Sequence, residues 1–316
     1  MLKKNKAFLF LLVAISFSGC NSTTNKVFDN SNKIHINPDY IIIEQPRVVK
    51  DQEIQELLAL NFVKGNLNRR QQVLLEYEKA VKNDMRGLDL IAKYILVNLI
   101  KFENEYAPAW NLYGNLLFKS GNYLEAYDAF DAAVDIDPNL VSTYLNRGIA
   151  LYYGKRPSVA YDDIYKVYMN DRNDPYIMMW LYLVEQNIRP DEALKNLSER
   201  YRLVVSKDNN WAYKIIDVIL GDLSEDEFWR TIFENNLLEE GGEINKPERL
   251  CEAYFYLGKY HQINGEKEVA QDYFKLSLMT NVKYFIEYQS STYEVNLYKK
   301  ILNEEILEVK TNSENK

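Results

Sequence analysis

The fold is decided by residues 110–138, which read WNLYGNLLFKSGNYLEAYDAFDAAVDIDP. Large apolar residues and very small residues recur here at the spacing of two helices that pack against each other. Gly114 on the first helix and Ala126 on the second are small enough to let the backbones approach closely, and Phe130 fills the space that remains. Pro138 ends the second helix, because its ring removes a backbone donor and clashes with the preceding turn. The full pattern consists of Trp110, Gly114, Leu117, Ala126, Phe130, Ala133 and Pro138.

The same pattern recurs along the chain and resembles the tetratricopeptide repeat, a unit of about 34 residues that forms two antiparallel helices. The next unit carries it at Tyr144, Gly148, Leu151, Ala160, Ile164 and Val167. A later unit carries it at Tyr254, Leu257, Gly258, Ala270, Phe274 and Ser277, and a degenerate unit keeps only its small residues, Ala80 and Ala92. Since one helix pair cannot bury its apolar faces alone, repeats of this kind stack into a solenoid. The predicted fold is therefore an all-α tetratricopeptide-repeat helical solenoid with additional non-consensus helices.

Composition supports a helical body and argues against most kinds of catalytic site. Of the 316 residues, 47% are hydrophobic, and only 12 Gly and 8 Pro are available for tight chain reversals. The net charge is −8, which becomes −8 − 3 = −11 without Lys3, Lys4 and Lys6, and an acidic body repels nucleic-acid phosphates. Two His and two Cys are too few for a His-rich zinc site or a disulfide scaffold. Since the sequence also has no phosphate loop, nucleophile elbow or dinucleotide turn, we expect no enzyme activity, cofactor, metal site or nucleic-acid partner.

Residues 1–19 have the organisation of a secretory signal peptide. A basic start precedes the apolar segment Ala7–Phe17, which is about half of the ~20 residues that a membrane-spanning helix needs. The string FSGC, which ends at Cys20, resembles the bacterial lipobox and implies cleavage after Gly19 and acylation of Cys20, as with palmitate. The alternatives are a buried core strand or a signal peptide that is cut elsewhere. We expect residues 20–50 to form a lipidated N-terminus and a flexible stalk, so that the protein meets the membrane only through its lipid anchor.

The remainder of the chain is predicted to be one helical body with a short tail. The body spans residues 51–306, and a polar tail spans residues 307–316. Between about residues 175 and 250 the apolar spacing is helical but carries no repeat signature, and the string Asn173-Asp174-Pro175 is typical of a helix N-cap followed by proline. Clear repeats are predicted at about 107–140, 141–174 and 251–284, and a degenerate repeat at about 73–106.

The inner wall of the predicted solenoid is the candidate peptide-binding surface. It is formed by residues on the first helix of each unit that point away from the second helix. Asn side chains there can bond both the N–H and the C=O of an extended peptide. Asn115 and Asn146 occupy positions that carry Asn in carboxylate-clamp members of the repeat family, but the basic residues of that clamp have no match here. The predicted inner wall consists of Asn111, Asn115, Phe118, Leu145, Asn146, Ile149 and Tyr152.

Alternatives remain open for this surface and for the isolated polar residues of the body. The inner wall either binds a partner peptide, or binds nothing specific, or binds only the protein's own N-terminal segment. His261 occupies a packing position of its repeat, which favours a hydrogen-bonded core histidine over a metal ligand. Cys251 lies in a helix with apolar periodicity and is expected to be a small buried hydrophobe.

Four strings of the sequence carry a more specific resemblance, and the later ones go beyond what the repeat pattern requires. They are YLNRGIALYYG at residues 144–154, NDP at 173–175, LYLVEQ at 181–186 and FYLGKY at 255–260. Together with the lipobox they resemble the NlpI family of tetratricopeptide-repeat outer-membrane lipoproteins of Gram-negative bacteria, over about residues 70–290.

The resemblance implies a non-catalytic homodimer that faces the periplasm from the outer membrane. Asn21, after the acylated Cys, agrees with that location, since Asp there would resemble the inner-membrane retention signal. Members of the family act as adaptors that bring a tail-specific periplasmic protease to peptidoglycan endopeptidases and other cell-wall enzymes, and thereby regulate cell-wall turnover and cell division. The alternative function is a tetratricopeptide lipoprotein subunit of an outer-membrane assembly machinery.

Overall fold

The computed structural model is helical throughout the part of the chain that it describes. Residues 1–50, which hold the predicted signal peptide, the lipidation site Cys20 and the stalk, lie outside that part. Within it, every regular element is an α-helix and no strand occurs, which confirms the all-α prediction. The described residues are 67–205, 210–234 and 246–314, together with Glu56, Ala59 and Leu60.

Thirteen helices follow one another in the described ranges 67–205, 210–234 and 246–314. They are α1 Arg69–Met85, α2 Asp89–Phe102, α3 Ala107–Lys119, α4 Tyr123–Ile136, α5 Val141–Tyr153, α6 Pro157–Asn170, α7 Pro175–Ile188, α8 Pro190–Arg202, α9 Tyr213–Leu220, α10 Glu225–Glu234, α11 Lys246–Ile263, α12 Lys267–Met279 and α13 Ile286–Glu314. The first eight form four antiparallel pairs, and consecutive pairs contact each other. α11 and α12 form a fifth pair, which α13 also contacts. None of the described helices combines the length and the apolar composition that crossing a membrane requires.

Three glycines mark the places where the two helices of a pair touch. A Cβ atom added to Gly114 of α3 would lie 2.5 Å from a ring carbon of Phe130 on α4, and one added to Gly148 would lie 2.6 Å from Ile164. At Gly258 of α11 the corresponding distance, to a ring carbon of Phe274, is 2.7 Å. Since non-bonded carbon atoms prefer a separation of about 3.5–4.0 Å, only glycine fits at these positions. The close approach predicted for these repeats is therefore confirmed.

Helix α7 lies at the centre of the body. All of its residues from Ile177 to Glu185 are buried. The Trp180 ring packs against Tyr152 of α5 and Phe255 of α11, with ring centroids 6.0 and 5.6 Å apart. The predicted N-cap is formed by Asp174, whose carboxylate accepts hydrogen bonds from the first two free backbone N–H groups of the helix at 2.8 and 3.2 Å. Helix α7 thus joins the regular repeats to the C-terminal helices.

Candidate protein-binding surface

Only some residues of the predicted inner wall are accessible to a partner. Asn111 of α3 and Asn146 of α5 are half-buried, and the Asn146 Nδ2 donates a hydrogen bond to the Asn111 Oδ1 at 3.1 Å. Asn115, Leu145 and Tyr152 are half-buried as well. The structure therefore brings the amides of adjacent repeats together, and each amide group keeps further capacity to bond a ligand.

Phe118 and Ile149 do not contribute to the inner wall, contrary to the prediction. Phe118 is 4% exposed and Ile149 is fully buried. The Phe118 ring packs edge-on against the rings of Tyr123 and Tyr153, with centroids 5.2 and 5.8 Å apart. Both side chains lie in the core of the stack. Removing their apolar surface from water stabilises the fold, and an exposed position on the wall would forgo that stabilisation.

Helix α13 returns to the end of α5 that carries Tyr152. The ring centroid of Tyr293, on α13, lies 4.6 Å from that of Tyr153 and 5.5 Å from that of Tyr123 at the start of α4. Neither the repeat pattern nor the apolar spacing predicted this contact. A segment of the chain itself therefore covers part of the surface that the early repeats would present to a partner.

Glu294 of α13 is held by two polar side chains of α11, the buried Lys259 and the half-buried Gln262. Its Oε1 accepts a hydrogen bond from the Lys259 Nζ at 2.8 Å, and its Oε2 accepts one from the Gln262 Nε2 at 2.8 Å. The side chains of Lys259 and Glu294 are 5% and 4% exposed. Burial alone would lower the pKa of the Lys259 ammonium, but Tyr152 and Glu294 raise it above its ordinary value, so the lysine stays charged. This arrangement is a carboxylate-binding site filled by the protein's own helix.

A cavity of about 400 Å³ lies beside the Glu294 carboxylate. Side chains of α5, α7, α11 and α13 line it, and most of them are polar. Its volume falls within the range of about 300–1,000 Å³ that is usual for ligand sites. The principal lining residues are Tyr152, Gln186, Asn187, Lys259, Tyr293 and Glu294.

Two further carboxylates lie where α11 meets α7 and α13. Glu252 accepts a hydrogen bond from the Tyr176 hydroxyl at 2.6 Å, and Glu287 accepts one from the Tyr256 hydroxyl at 3.0 Å. Burial raises the pKa of both carboxyl groups, and the charge of Glu287 raises the pKa of Glu252 further. Both groups therefore bind protons more readily in the folded protein than in the unfolded chain.

His261 is a hydrogen-bonded core residue, as predicted. Its Nε2 and Nδ1 lie 2.8 Å from Glu225 and 2.5 Å from Glu266, and the Tyr273 hydroxyl donates a hydrogen bond to the same Glu225. No group of His, Cys, Asp and Glu side chains in the described body has an arrangement that could hold a metal ion. Cys251 is buried, and burial raises the pKa of its thiol, which makes it a poor nucleophile.

Comparison with known proteins agrees with the helical architecture. Residues 114–153 match the TPR repeat family model. The fold resembles that of the apo form of RapI, with a TM-score of 0.51 and 14% identity over 73% of this chain and 89% of that chain. The body is a tetratricopeptide-repeat solenoid. Repeats of this kind indicate a scaffold for protein–protein interaction.

Other solved structures show weaker similarity to the solenoid. PilF of Pseudomonas aeruginosa is 17% identical over 72% of this chain and 99% of that chain, with a TM-score of 0.43. YrrB, a TPR protein with an unusual peptide-binding site, is 14% identical over 66% of this chain and 86% of that chain, with a TM-score of 0.40.

Proposed function

We propose that this protein is a non-catalytic adaptor whose solenoid holds partner proteins together. The observation that carries the proposal is the amide pair of Asn111 and Asn146, which two adjacent repeats bring together on a half-exposed wall. Amides that keep free donors and acceptors suit the backbone of an extended peptide, and the neighbouring Leu145 and Tyr152 supply apolar contact.

The proposed partners are a tail-specific periplasmic protease and peptidoglycan endopeptidases. The resemblance to the NlpI family supports this choice, and the lipobox at Cys20 supports a lipid-anchored protein on the periplasmic face of the outer membrane. A homodimer would offer two copies of each surface, so that protease and substrate could be held on one particle. Such an adaptor regulates cell-wall turnover and division by raising the local concentration of one partner around the other.

Affinity capture from detergent-solubilised cell envelopes tests the proposal. We expect the wild-type protein to retain the protease and at least one endopeptidase, and we expect Asn115→Ala with Asn146→Ala to lose one of them. Asn98→Ala with Asn170→Ala is the matched control, because these residues are exposed on the second helices of their pairs. Recovery of outer-membrane assembly components in place of the protease and endopeptidases would contradict the proposed partners.

A further inference from the structure

The turn between the two helices of a pair usually contains a glycine in the left-handed conformation, but one turn has a lysine. Gly87, Gly121 and Gly265 occupy this position in three pairs, with φ between 72 and 83°. In the turn between α5 and α6 the residue is Lys155, with φ of 59°. Because a side chain makes the left-handed region unfavourable, glycine is the residue that this turn prefers. A residue that violates such a local preference is a candidate for a role in function.

Lys155 lines the cavity of about 400 Å³ beside Glu294. It is exposed, and its side chain makes no hydrogen bond or ion pair with any residue that the structure describes. The second lysine of the lining, Lys259, is buried and bonded to Glu294 and Gln262. Since Lys259 and Glu294 neutralise each other, the charge of Lys155 remains uncompensated in the lining. The cavity therefore favours a ligand that carries a negative charge.

The other lining residues offer hydrogen bonds and apolar contact. Gln186 and Asn187, at the end of α7, both line the cavity, and the Asn187 Nδ2 donates one hydrogen bond, to the Leu183 backbone oxygen at 3.0 Å. A second N–H of that amide remains free, and N–H groups bind a carboxylate well when an ammonium group is also present. Leu183, Ile263 and Leu297 supply apolar surface. This combination suits a carboxylate that belongs to a peptide.

The cavity lies within reach of a peptide on the inner wall. Tyr152 belongs both to the predicted inner wall and to the lining of the cavity. Asn146, whose amide group is bonded to that of Asn111, lies six residues earlier on α5, which corresponds to about 9 Å along the helix axis. An extended peptide advances about 3.3 Å per residue, so about three residues span this distance. A peptide bonded by the amide pair can therefore place a carboxylate in the cavity.

We propose that this cavity is a subsite for a carboxylate of the partner peptide, and that the Lys155 ammonium group binds that carboxylate. Helix α13 stays in place and forms one wall of the subsite. The carboxylate is either the free C-terminus of the peptide or an Asp or Glu side chain, about three residues from the segment that the amide pair bonds. This inference rests on the proposed function and names the chemistry of the peptide that the inner wall takes.

Selection from a library of random decapeptides by the immobilised full-length protein tests the subsite. We expect the wild type to enrich peptides with a carboxylate at one fixed position, and we expect Lys155→Gln to lose this enrichment. Lys195→Gln is the matched control, because Lys195 is exposed on α8 and does not line the cavity. The absence of carboxylate enrichment by the wild type, or the same enrichment by Lys155→Gln, would overturn the proposal.

A labelled peptide from the enriched set, measured by fluorescence anisotropy, shows which carboxylate the subsite takes. Amidation of its C-terminus removes the terminal charge, and replacement of its acidic residues by the corresponding amides removes the side-chain charges. We expect one of these two changes to weaken binding to the wild type by at least about tenfold, because a hydrogen bond between charged groups is lost. A peptide that keeps its affinity after both changes would overturn the proposal.

Lys155→Gly separates a role in binding from a role in folding. Since glycine suits the left-handed turn, we expect this variant to melt at the same temperature as the wild type or higher, and yet to lose at least about tenfold in affinity for the labelled peptide. Unchanged affinity, or a clearly lower melting temperature, would overturn the proposal. These measurements need neither the protease nor the endopeptidases, so the subsite stands if those partners prove wrong. If affinity capture retains those partners and Lys155→Gln binds the peptide like the wild type, the subsite alone is refuted.

Discussion

Replacing Gly114 by alanine places a methyl group at the contact between α3 and α4. The new Cβ would lie 2.5, 2.7 and 2.9 Å from three ring carbons of Phe130. Carbon atoms prefer a separation of about 3.5–4.0 Å, so the ring and the new methyl group must move apart by about 1 Å. Phe130 is 1% exposed, and its neighbours Ala126 and Ala133 on α4 are fully buried, which leaves the ring no free space.

The expected change in stability is a balance of two effects. Overpacking of a core costs about 1–3 kcal/mol. Alanine is favoured over glycine inside a helix by about 1 kcal/mol, so we expect Gly114→Ala to lower the free energy of unfolding by about 0–2 kcal/mol. In a Phe130→Ala background no side-chain atom beyond Cβ remains at position 130, the methyl group fits, and the same substitution should raise the free energy of unfolding by about 1 kcal/mol.

Denaturant unfolding, followed by far-ultraviolet circular dichroism, gives the four free energies of this double-mutant cycle. The coupling between the two positions should be at least about 1 kcal/mol, because the residues are in direct contact. A stabilising effect of Gly114→Ala in the wild-type background, or a coupling near zero, would refute the proposed close approach of the two helices.

Three other predictions follow from the sequence and the structure. Cys20→Ala should shift the protein from the membrane fraction to a precursor or a soluble form, and equal fractionation with the wild type would exclude lipidation. Because the folded pKa values of Glu252 and Glu287 are raised from 4.5 to about 8 and about 7, their contribution to stability is full below about pH 4.5 and is lost as the pH rises to about 8. Urea titrations at several pH values should show a smaller fall in the free energy of unfolding with rising pH when both residues are Gln. An unchanged dependence on pH would show that these two carboxyl groups do not cause it. Arg200→Ala should cost about 3 kcal/mol, because it removes the closest cation from Glu185, which is fully buried. Replacing both residues by Leu should restore most of the lost free energy of unfolding. A single variant as stable as the wild type would show that the Arg200–Glu185 pair does not stabilise the fold.

The repeat units could be predicted because their defining contacts lie within one unit. Gly114 and Phe130 are 16 residues apart, and the pattern of small and large residues within the unit predicts their contact. The packing of α7 against α8 could not be predicted in the same way, although each of the two helices could be. From Ile177 to Glu185 every residue of α7 is buried, so no one-sided apolar stripe remains to show which face packs on α8.

The location of α13 could not be predicted from the sequence. Glu287 and Glu294 have the spacing of a solvated helix face, and only the folded chain shows that Lys259, 35 residues before Glu294, neutralises one of them. Phe118 and Ile149 were assigned to the inner wall from their position in the repeat, but contacts between repeats bury both. Sequence position within a repeat defines the face of a helix, whereas burial depends on neighbours that the repeat pattern does not contain.

The proposed function, in which the protein links a protease to its substrate without chemistry of its own, can be measured in a reconstituted degradation assay. The measurement is the rate at which the purified tail-specific protease degrades a purified peptidoglycan endopeptidase, as a function of the concentration of this protein. We expect no degradation by the protein alone, a rate that rises to a maximum as the protein is added, and inhibition at large excess, because the two partners then occupy different adaptors. A rate that does not depend on the protein, a rise to a plateau without inhibition, or hydrolysis by the protein alone would rule out a non-catalytic adaptor.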